Sequence, residues 1–286
     1  MTGTDTPALG RYGVFTFAGV VERSPRARGE LAAWLEELGF GAIWLANATA
    51  EAAAPFLAAT SKVIVGTAIQ CIWTQDAAST AAQYAELEAA HPGRFVLGLG
   101  VGHPQRNAEY QRPFAALSEY LDGLDDPAGG KPVPAGRRVL AALGPRMLGL
   151  ARDRTAGTLP YLVTAEHVAE ARATLGEGPL LAPEVGVVLA TDPTQARTLA
   201  RGALARYLPL TNYTRNWFRG GFTEEDLAGG GSDRLIDALF AWGDEEQIRA
   251  RLDAFHAAGA DHVVLQPIEE AGPSPDGLRR LGRLLR

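Results

Sequence analysis

His91-Pro92-Gly93-Arg94-Phe95-Val96-Leu97-Gly98-Leu99-Gly100-Val101-Gly102-His103 carries a helix stop, a buried strand and an exit loop in succession. Proline followed by glycine ends the Ala-rich stretch before it, because proline has no amide proton and glycine readily leaves the helical region. Phe95 to Leu99 is an apolar run of strand length. The alternating glycines then lead into a polar loop at His103. Helix, stop, strand and loop make up one turn of a strand–helix repeat.

The same unit recurs in both directions. Toward the N-terminus, a helix is expected near Asp76 to Ala90, a third strand at Val63 to Ile69, an Ala-rich helix at Ala50 to Thr60 and a second strand at Ala42 to Leu45. Before these, Ser24 and Pro25 supply an N-cap and a first-turn proline. Leu31, Trp34, Leu35 and Leu38 follow at helical spacing, and Gly39 stops the helix. Gly13 to Phe17 is the first strand.

Toward the C-terminus come a helix near Pro113 to Leu121 and a Pro/Gly-rich surface connector, Asp126 to Gly136. Strand five at Val139 to Leu143 precedes a helix opening at Pro145. Strand six is expected at Leu159 to Val163, and Thr164 caps a helix with Val168, Ala171 and Leu175 on its inner face. Strand seven is Val185 to Ala190. Asp192-Pro193-Thr194-Gln195 and Asp244 to Gln247 are capping-box starts. The second opens a helix with Ile248, Leu252 and Phe255 inward, ended by Gly259 before strand eight, Val263 to Gln266.

About eight such units, in this order, predict an α/β fold of the (β/α)8 TIM-barrel type, one domain over residues 1–286. Between the helix after strand seven and strand eight lies Tyr207 to Gly243, too long for an ordinary connection. It holds Tyr207, Tyr213, Trp217 and Phe222, then Gly229-Gly230-Gly231 and a helix capped by Ser232. Two readings stand: a lid hinged at the glycines, or a loop packed on the outer helices.

Composition narrows the function. With 27 basic against 33 acidic residues the formal charge is -6, so no basic surplus is available for a phosphate backbone, and nucleic acid is not an expected partner. No apolar stretch approaches membrane-spanning length, the start from Met1 to Gly10 lacks a secretory pattern, and the one cysteine, Cys71, has no internal partner. These features point to a cytoplasmic protein.

In such a barrel the chemistry sits at the C-terminal ends of the strands. Those ends read Trp44-Leu45-Ala46-Asn47, Gln70-Cys71-Ile72-Trp73, Gly100-Val101-Gly102-His103 and Gln266-Pro267. Aromatic, small and uncharged residues there suit a large flat ring better than a metal or a chain of phosphates. The five histidines are scattered and no ligand spacing appears, so no metal site is expected. Gly98 to Gly102 lacks the two residues that a dinucleotide fingerprint needs between its second and third glycines. Its glycines either let the backbone approach a ligand face or permit tight packing inside the barrel. Leu143-Gly144-Pro145-Arg146-Met147 offers a helix N-terminus with an adjacent cation for an anionic tail, or is a plain turn. Ala156-Gly157-Thr158 is a second small turn.

Taken together, His91 to His103, Ala141 to Met147 and Gly259-Ala260-Asp261-His262-Val263 resemble the bacterial luciferase-like monooxygenase superfamily, and within it the actinobacterial branch of F420-dependent oxidoreductases. The resemblance runs from about Gly10 to Ile268, helped by Pro160 to Thr164 and Leu227 to Leu235. It implies a barrel, usually a homodimer, that holds the deazaflavin F420 or FMN at its mouth and acts on a small organic substrate. By that similarity Gln70, Cys71 and Ile72 line the ring beside an unusual cis peptide, and Gly100, Val101, Gly102 and His103 flank it. Gly144, Pro145, Arg146 and Met147 hold the tail, with Gly157 and Thr158 as the second turn. F420 implies a hydride-transferring oxidoreductase; FMN would imply a monooxygenase supplied by a separate reductase.

Two departures stand out. Ala46-Asn47-Ala48 replaces an acidic Pro-Glu-Ala-type segment, so Asn47 can only hydrogen-bond to the ring, and the loop from Gly102 to Arg112 is shortened. His103 is the first candidate for proton exchange, since imidazole titrates near neutrality, and Tyr161 is the second. The same departures motivate a further alternative, a non-catalytic barrel that binds a ligand or a partner chain.

Overall fold

The computed structural model describes residues 7–17, 25–270 and 272–285. Its strands are β1 (Tyr12–Phe17), β2 (Ala42–Ala46), β3 (Ile64–Thr67), β4 (Gln70–Cys71), β5 (Phe95–Gly100), β6 (Arg138–Leu140), β7 (Gly157–Thr158), β8 (Leu180–Leu181), β9 (Glu184–Val188), β10 (Phe240–Trp242) and β11 (Val263–Pro267). Between them run α1 (Pro25–Leu38), α2 (Ala54–Ala58), α3 (Ala77–Ala90), α4 (Pro113–Asp125), α5 (Pro145–Arg154), α6 (Ala165–Leu175) and α7 (Pro193–Leu204). The long interval holds α8 (Thr211–Arg219), α9 (Glu224–Leu227) and α10 (Asp233–Leu239); α11 (Glu245–Ala257) and α12 (Pro275–Leu284) complete the chain.

All pairings are parallel, in the order β10-β9-β11-β1-β2-β3-β5-β6-β7-β8. Written this way the sheet has two ends, yet β8 and β9 are halves of one extended stretch separated only by Ala182-Pro183. Ala182 N and Glu184 N donate to Thr158 O and Pro160 O on one side, and Val264 N donates to Pro183 O on the other. Residues 180–188 therefore join β7 to β11, and the sheet curls closed. The (β/α)8 arrangement stands, with β10 as a short additional strand beside β9.

Strand alternation separates two cores. Ile43, Leu45, Val65, Leu97, Val185 and Val187 face the surrounding helices, while Phe15, Trp44, Val96, Val139, Leu180 and Val264 fill the barrel. Trp44 is fully buried, and the faces opposite it are kept bare: a Cβ on Gly66 would stand 2.5 Å from its ring. Its Nε1 donates to His262 Nε2 at 3.1 Å, and His262 Nδ1 lies 2.8 Å from Gly10 O. Only the neutral tautomer with its proton on Nδ1 satisfies both bonds.

Burial accordingly lowers the His262 pKa from 6.5 to about 4. A depressed folded-state value means stability that is present above pH 6.5 and lost as the pH falls through 4. The expected loss is about 3 kcal/mol. Urea unfolding at pH 7 and pH 4.5 checks this against His262→Gln, which should lose visibly less on acidification; equal losses would show that His262 contributes nothing to acid lability.

Several expected boundaries move. Strand six is β7, two residues earlier than Leu159 to Val163, because that run contains Pro160, which cannot donate to a ladder. Strand seven begins at Leu180, and the strand expected over Val63 to Ile69 stops at Thr67 as β3, with β4 following separately beyond a cis peptide between Ala68 and Ile69. The helix expected from Ala50 starts as a 3-10 turn. The Ser24 cap lies outside the described residues.

Candidate active site

The C-terminal ends of the strands open into a cavity of about 370 Å³. One wall comes from the end of β2, where Asn47 takes a left-handed conformation (φ 49°) that asparagine tolerates better than most residues. Ala68, Ile69 and Cys71 continue it. The Cys71 thiol is half-buried, which raises its pKa, and Asn107 Nδ2 lies 3.6 Å from its sulfur.

Gly100, Val101, Gly102 and His103 supply the next wall, and the three glycines of this segment differ in purpose. A Cβ on Gly98 would lie 1.9 Å from Thr67 O, so that glycine serves strand packing. One on Gly100 would press on Ile69 at 2.8 Å, inside the cavity lining, and Gly102 has φ 64° beside Asn107. The loop beyond is held from both sides. Asn107 Oδ1 accepts from His103 N, Asn212 Nδ2 donates to Gly102 O at 3.0 Å, and Arg106 Nη2 donates to Arg206 O.

The opposite wall is aromatic. Tyr161, Tyr207 and Tyr213 line the cavity, with ring centroids 5.2 Å apart for the first pair and 5.5 Å for Tyr207 and Tyr213. Tyr213 stacks on Trp217 and meets the His103 ring at a tilt, with centroids 4.9 Å apart. The Tyr161 hydroxyl lies 2.8 Å from Gln266 Oε1 and 3.0 Å from the Tyr207 hydroxyl. Burial raises all three phenols, so they remain protonated at neutral pH.

Of the residues expected at the site, Asn47, Cys71, Gly100, Val101, Gly102, His103 and Tyr161 meet at the cavity. Others lie elsewhere. Gln70 turns away, its carboxamide accepting from Ala50 N and donating to Thr80 Oγ1, and Ile72 packs in the outer core. Gly157 and Thr158 are buried in β7, with Thr158 Oγ1 bonded to Leu140 O. Gly144, Pro145 and Met147 form the start of α5, off the cavity lining. Arg146 does not face that turn: its guanidinium lies over the Phe114 ring at 4.6 Å, a favourable cation–π contact. Arg219 reaches the turn instead, donating to Leu143 O at 3.2 Å.

His103 sits in the lining as an uncharged imidazole. Burial, with the Arg106 charge next, lowers its pKa from 6.5 to about 4, and its Nδ1 is buried without a partner. The ring is therefore neutral at pH 7, a hydrogen-bonding group and not an acid. The 207–243 interval divides in two: Tyr207, Asn212 and Tyr213 line the cavity, while Gly231 packs on Leu204 of α7 and β10 joins the sheet.

Sequence reasoning missed Arg106, Asn107 and Asn212, whose loop positions carry no spacing signal. It also missed Glu184. A carboxylate inside the apolar strand Glu184-Val185-Gly186-Val187-Val188 was a signal, because such residues are seldom fully buried without a partner.

Solved structures with the same fold span nearly the whole chain. An F420-dependent secondary alcohol dehydrogenase in complex with an F420-acetone adduct overlays with a TM-score of 0.74 at 16% identity, covering 97% of this chain and 99% of that one. The coenzyme F420-dependent tetrahydromethanopterin reductase of Methanopyrus kandleri gives 0.66 at 18%, covering 96% and 98%. The FMN-bound oxygenating constituent of 3,6-diketocamphane monooxygenase from Pseudomonas putida gives 0.67 at 15%, covering 97% of each. No curated protein sequence matches the chain. The luciferase-like monooxygenase family model, however, matches residues 10–262, which takes in β1 through the His262 that braces Trp44. With the barrel, its strand-end cavity and that match in agreement, this chain belongs to the luciferase-like monooxygenase family.

Proposed function

We propose that the protein is an F420-dependent oxidoreductase, transferring hydride between the deazaflavin and a small uncharged organic substrate. The observation that carries this reading is the character of the cavity: apolar sides from Ile69, Val101, Ala141 and Leu159, neutral polar groups from three carboxamides and three phenols, and Arg106 as the one charged residue among the described lining. A volume of about 370 Å³ lies within the usual range for small-molecule sites. Gly100 makes room for the Ile69 side chain, which forms part of the cavity lining.

Ile69, Gly100 and Val101 would hold the ring from one side, with Asn47, Asn107 and Asn212 available to its heteroatoms. When bound, F420 supplies hydride chemistry and little oxygen chemistry. The chain's own part is to exclude water through the tyrosine wall, to orient a carbonyl or hydroxyl, and to exchange one proton with it. For an anionic tail, Arg219 is the cation beside Gly144. An FMN monooxygenase is the second reading, favoured by the FMN-bound neighbour of equal coverage.

Fluorescence titration with oxidised F420, alongside FMN, tests this on the wild type, Ala141→Phe, Arg219→Ala and Arg146→Ala. F420 is expected to bind, with affinity at least ten-fold weaker in Ala141→Phe, several-fold weaker in Arg219→Ala and little changed in Arg146→Ala. Retention of FMN alone would turn the assignment to the monooxygenase, and binding of neither to a non-catalytic barrel.

A further inference from the structure

Glu184 is 1% exposed, and among the described residues neither of its carboxyl oxygens has a hydrogen-bond partner. Its neighbours Val185 and Val187 face the outer helices and Ala182 faces the barrel, so strand alternation turns Glu184 inward. Its own N–H is bonded to Pro160 O at 2.9 Å, which sets it beside Tyr161 at the foot of the aromatic wall. A negative charge on Glu184 would push all three phenols of that wall further up. Arg106 and His103 lie beyond them, against the rings of Tyr207 and Tyr213. No salt bridge reaches the carboxyl, and the Leu162 N–H attracts it without hydrogen-bond geometry.

An unpaired carboxylate in such a place is costly, and a carboxylic acid is much less so. Burial indeed raises the Glu184 pKa from 4.5 to about 8. The acid is therefore loaded with a proton at neutral pH, directly behind the wall of a cavity whose described lining holds no carboxyl group.

We propose that Glu184 is the proton store of the cavity, exchanging its carboxyl proton with the substrate through the hydroxyls of Tyr161 and Tyr207. This rests on the hydride-transfer reading above. As hydride reaches the carbon of a substrate carbonyl, the substrate oxygen takes the Tyr207 hydroxyl proton. Tyr207 takes that of Tyr161 across their 3.0 Å contact, and Tyr161 takes the proton of Glu184. One O–H bond forms on the substrate and one is lost at Glu184, which solvent reprotonates after product leaves; alcohol oxidation runs the same steps backward. The carboxyl makes no hydrogen bond to Tyr161 in this structure, so the transfer requires the Glu184 side chain to turn toward that hydroxyl. The single Tyr161 proton has two acceptors within reach, Gln266 Oε1 at 2.8 Å and the Tyr207 hydroxyl at 3.0 Å, so the relay requires it to turn from the first to the second.

Two measurements test this. First, the infrared spectrum of the protein without cofactor, wild type minus Glu184→Gln, should contain a protonated-carboxyl band at pH 7 that disappears as the pH rises past 8. Second, oxidation of reduced F420 by a series of simple aliphatic and cyclic ketones should slow at least ten-fold in Glu184→Gln at pH 7, with F420 affinity unchanged. The alkaline fall of the wild-type pH profile should vanish in that variant and return in part in Glu184→Asp. Tyr161→Phe should slow the reaction equally, and the double variant no further. A carboxylate band at pH 7, or wild-type rate and pH profile in Glu184→Gln, overturns the proposal. If the wild type itself binds or oxidises no F420, the functional reading has failed, and this role for Glu184 goes with it even where the infrared band is present.

Discussion

Between pH 4.5 and 8 the wild type is expected to lose about 5 kcal/mol of folding stability that Glu184→Gln does not lose. The figure follows from the rise of the Glu184 pKa from 4.5 to about 8, caused by burial alone among strong influences. In that window the folded chain holds a proton at Glu184 and the unfolded chain does not. Folding therefore takes up a proton, and stability declines as pH rises: the contribution is full below 4.5 and gone above 8. Histidines work the other way at lower pH, since His103, His167 and His262 are all lowered to about 4. Their gain on raising the pH partly hides the Glu184 loss in the wild-type curve. The difference between wild type and variant cancels the histidines and isolates the carboxyl. Urea unfolding at half-unit steps from pH 4.5 to 9 measures it. Parallel curves would mean that Glu184 ionises in the folded protein as freely as in the unfolded one, and the proton-store proposal would lose its physical basis.

A residue that weakens the fold by this much at alkaline pH stands out because the rest of the barrel follows plain rules. The strand–helix order, the helix starts at Asp76, Thr164, Asp192 and Asp244, and the glycine exit of β5 were legible because each depends on local chemistry: caps, breakers and apolar runs. Strand six was misplaced for a local reason too, the missing N–H of Pro160. The site was legible only in part. Asn47, Cys71, His103 and Tyr161 follow from the rule that strand ends face the mouth, but which way a side chain turns there depends on neighbours distant in sequence. Gln70 turns outward because Thr80 and Ala50, on other elements, complete its hydrogen bonds. Arg146 lies on the Phe114 ring, and Arg219 from α8 reaches the Leu143 carbonyl instead. The lowering of the His103 pKa was not legible, since burial is a property of the assembled wall, with Tyr213 arriving from α8.

The glycines of β5 allow the sharpest separation of fold from site. Gly98→Ala is expected to cost more than about 4 kcal/mol, at the severe end for a single methyl group. Its Cβ would stand 1.9 Å from Thr67 O and 3.1 Å from Thr67 C, both backbone atoms of the paired strand. Thr67 cannot retreat, because its Oγ1 donates to Gly98 O at 2.8 Å and accepts from Gly98 N at 2.9 Å, tying the strands at that point. Relief would require opening the barrel between β3 and β5. Two residues along, Gly100→Ala meets only the tip of Ile69, at 2.8 Å from Cδ1 and 3.0 Å from Cγ1. A side-chain tip can rotate aside, so the expected cost is about 1–3 kcal/mol, the usual range for overpacking. Ile69 rotates at the expense of the cavity it lines, so Gly100→Ala should fold and yet bind F420 more weakly, whereas Gly98→Ala should fail in folding. Urea unfolding separates the two, with F420 titration on whichever variant folds. Equal destabilisation at both positions would mean that β5 is bare along its whole length for packing alone, and that no ligand face needs to be invoked at Gly100.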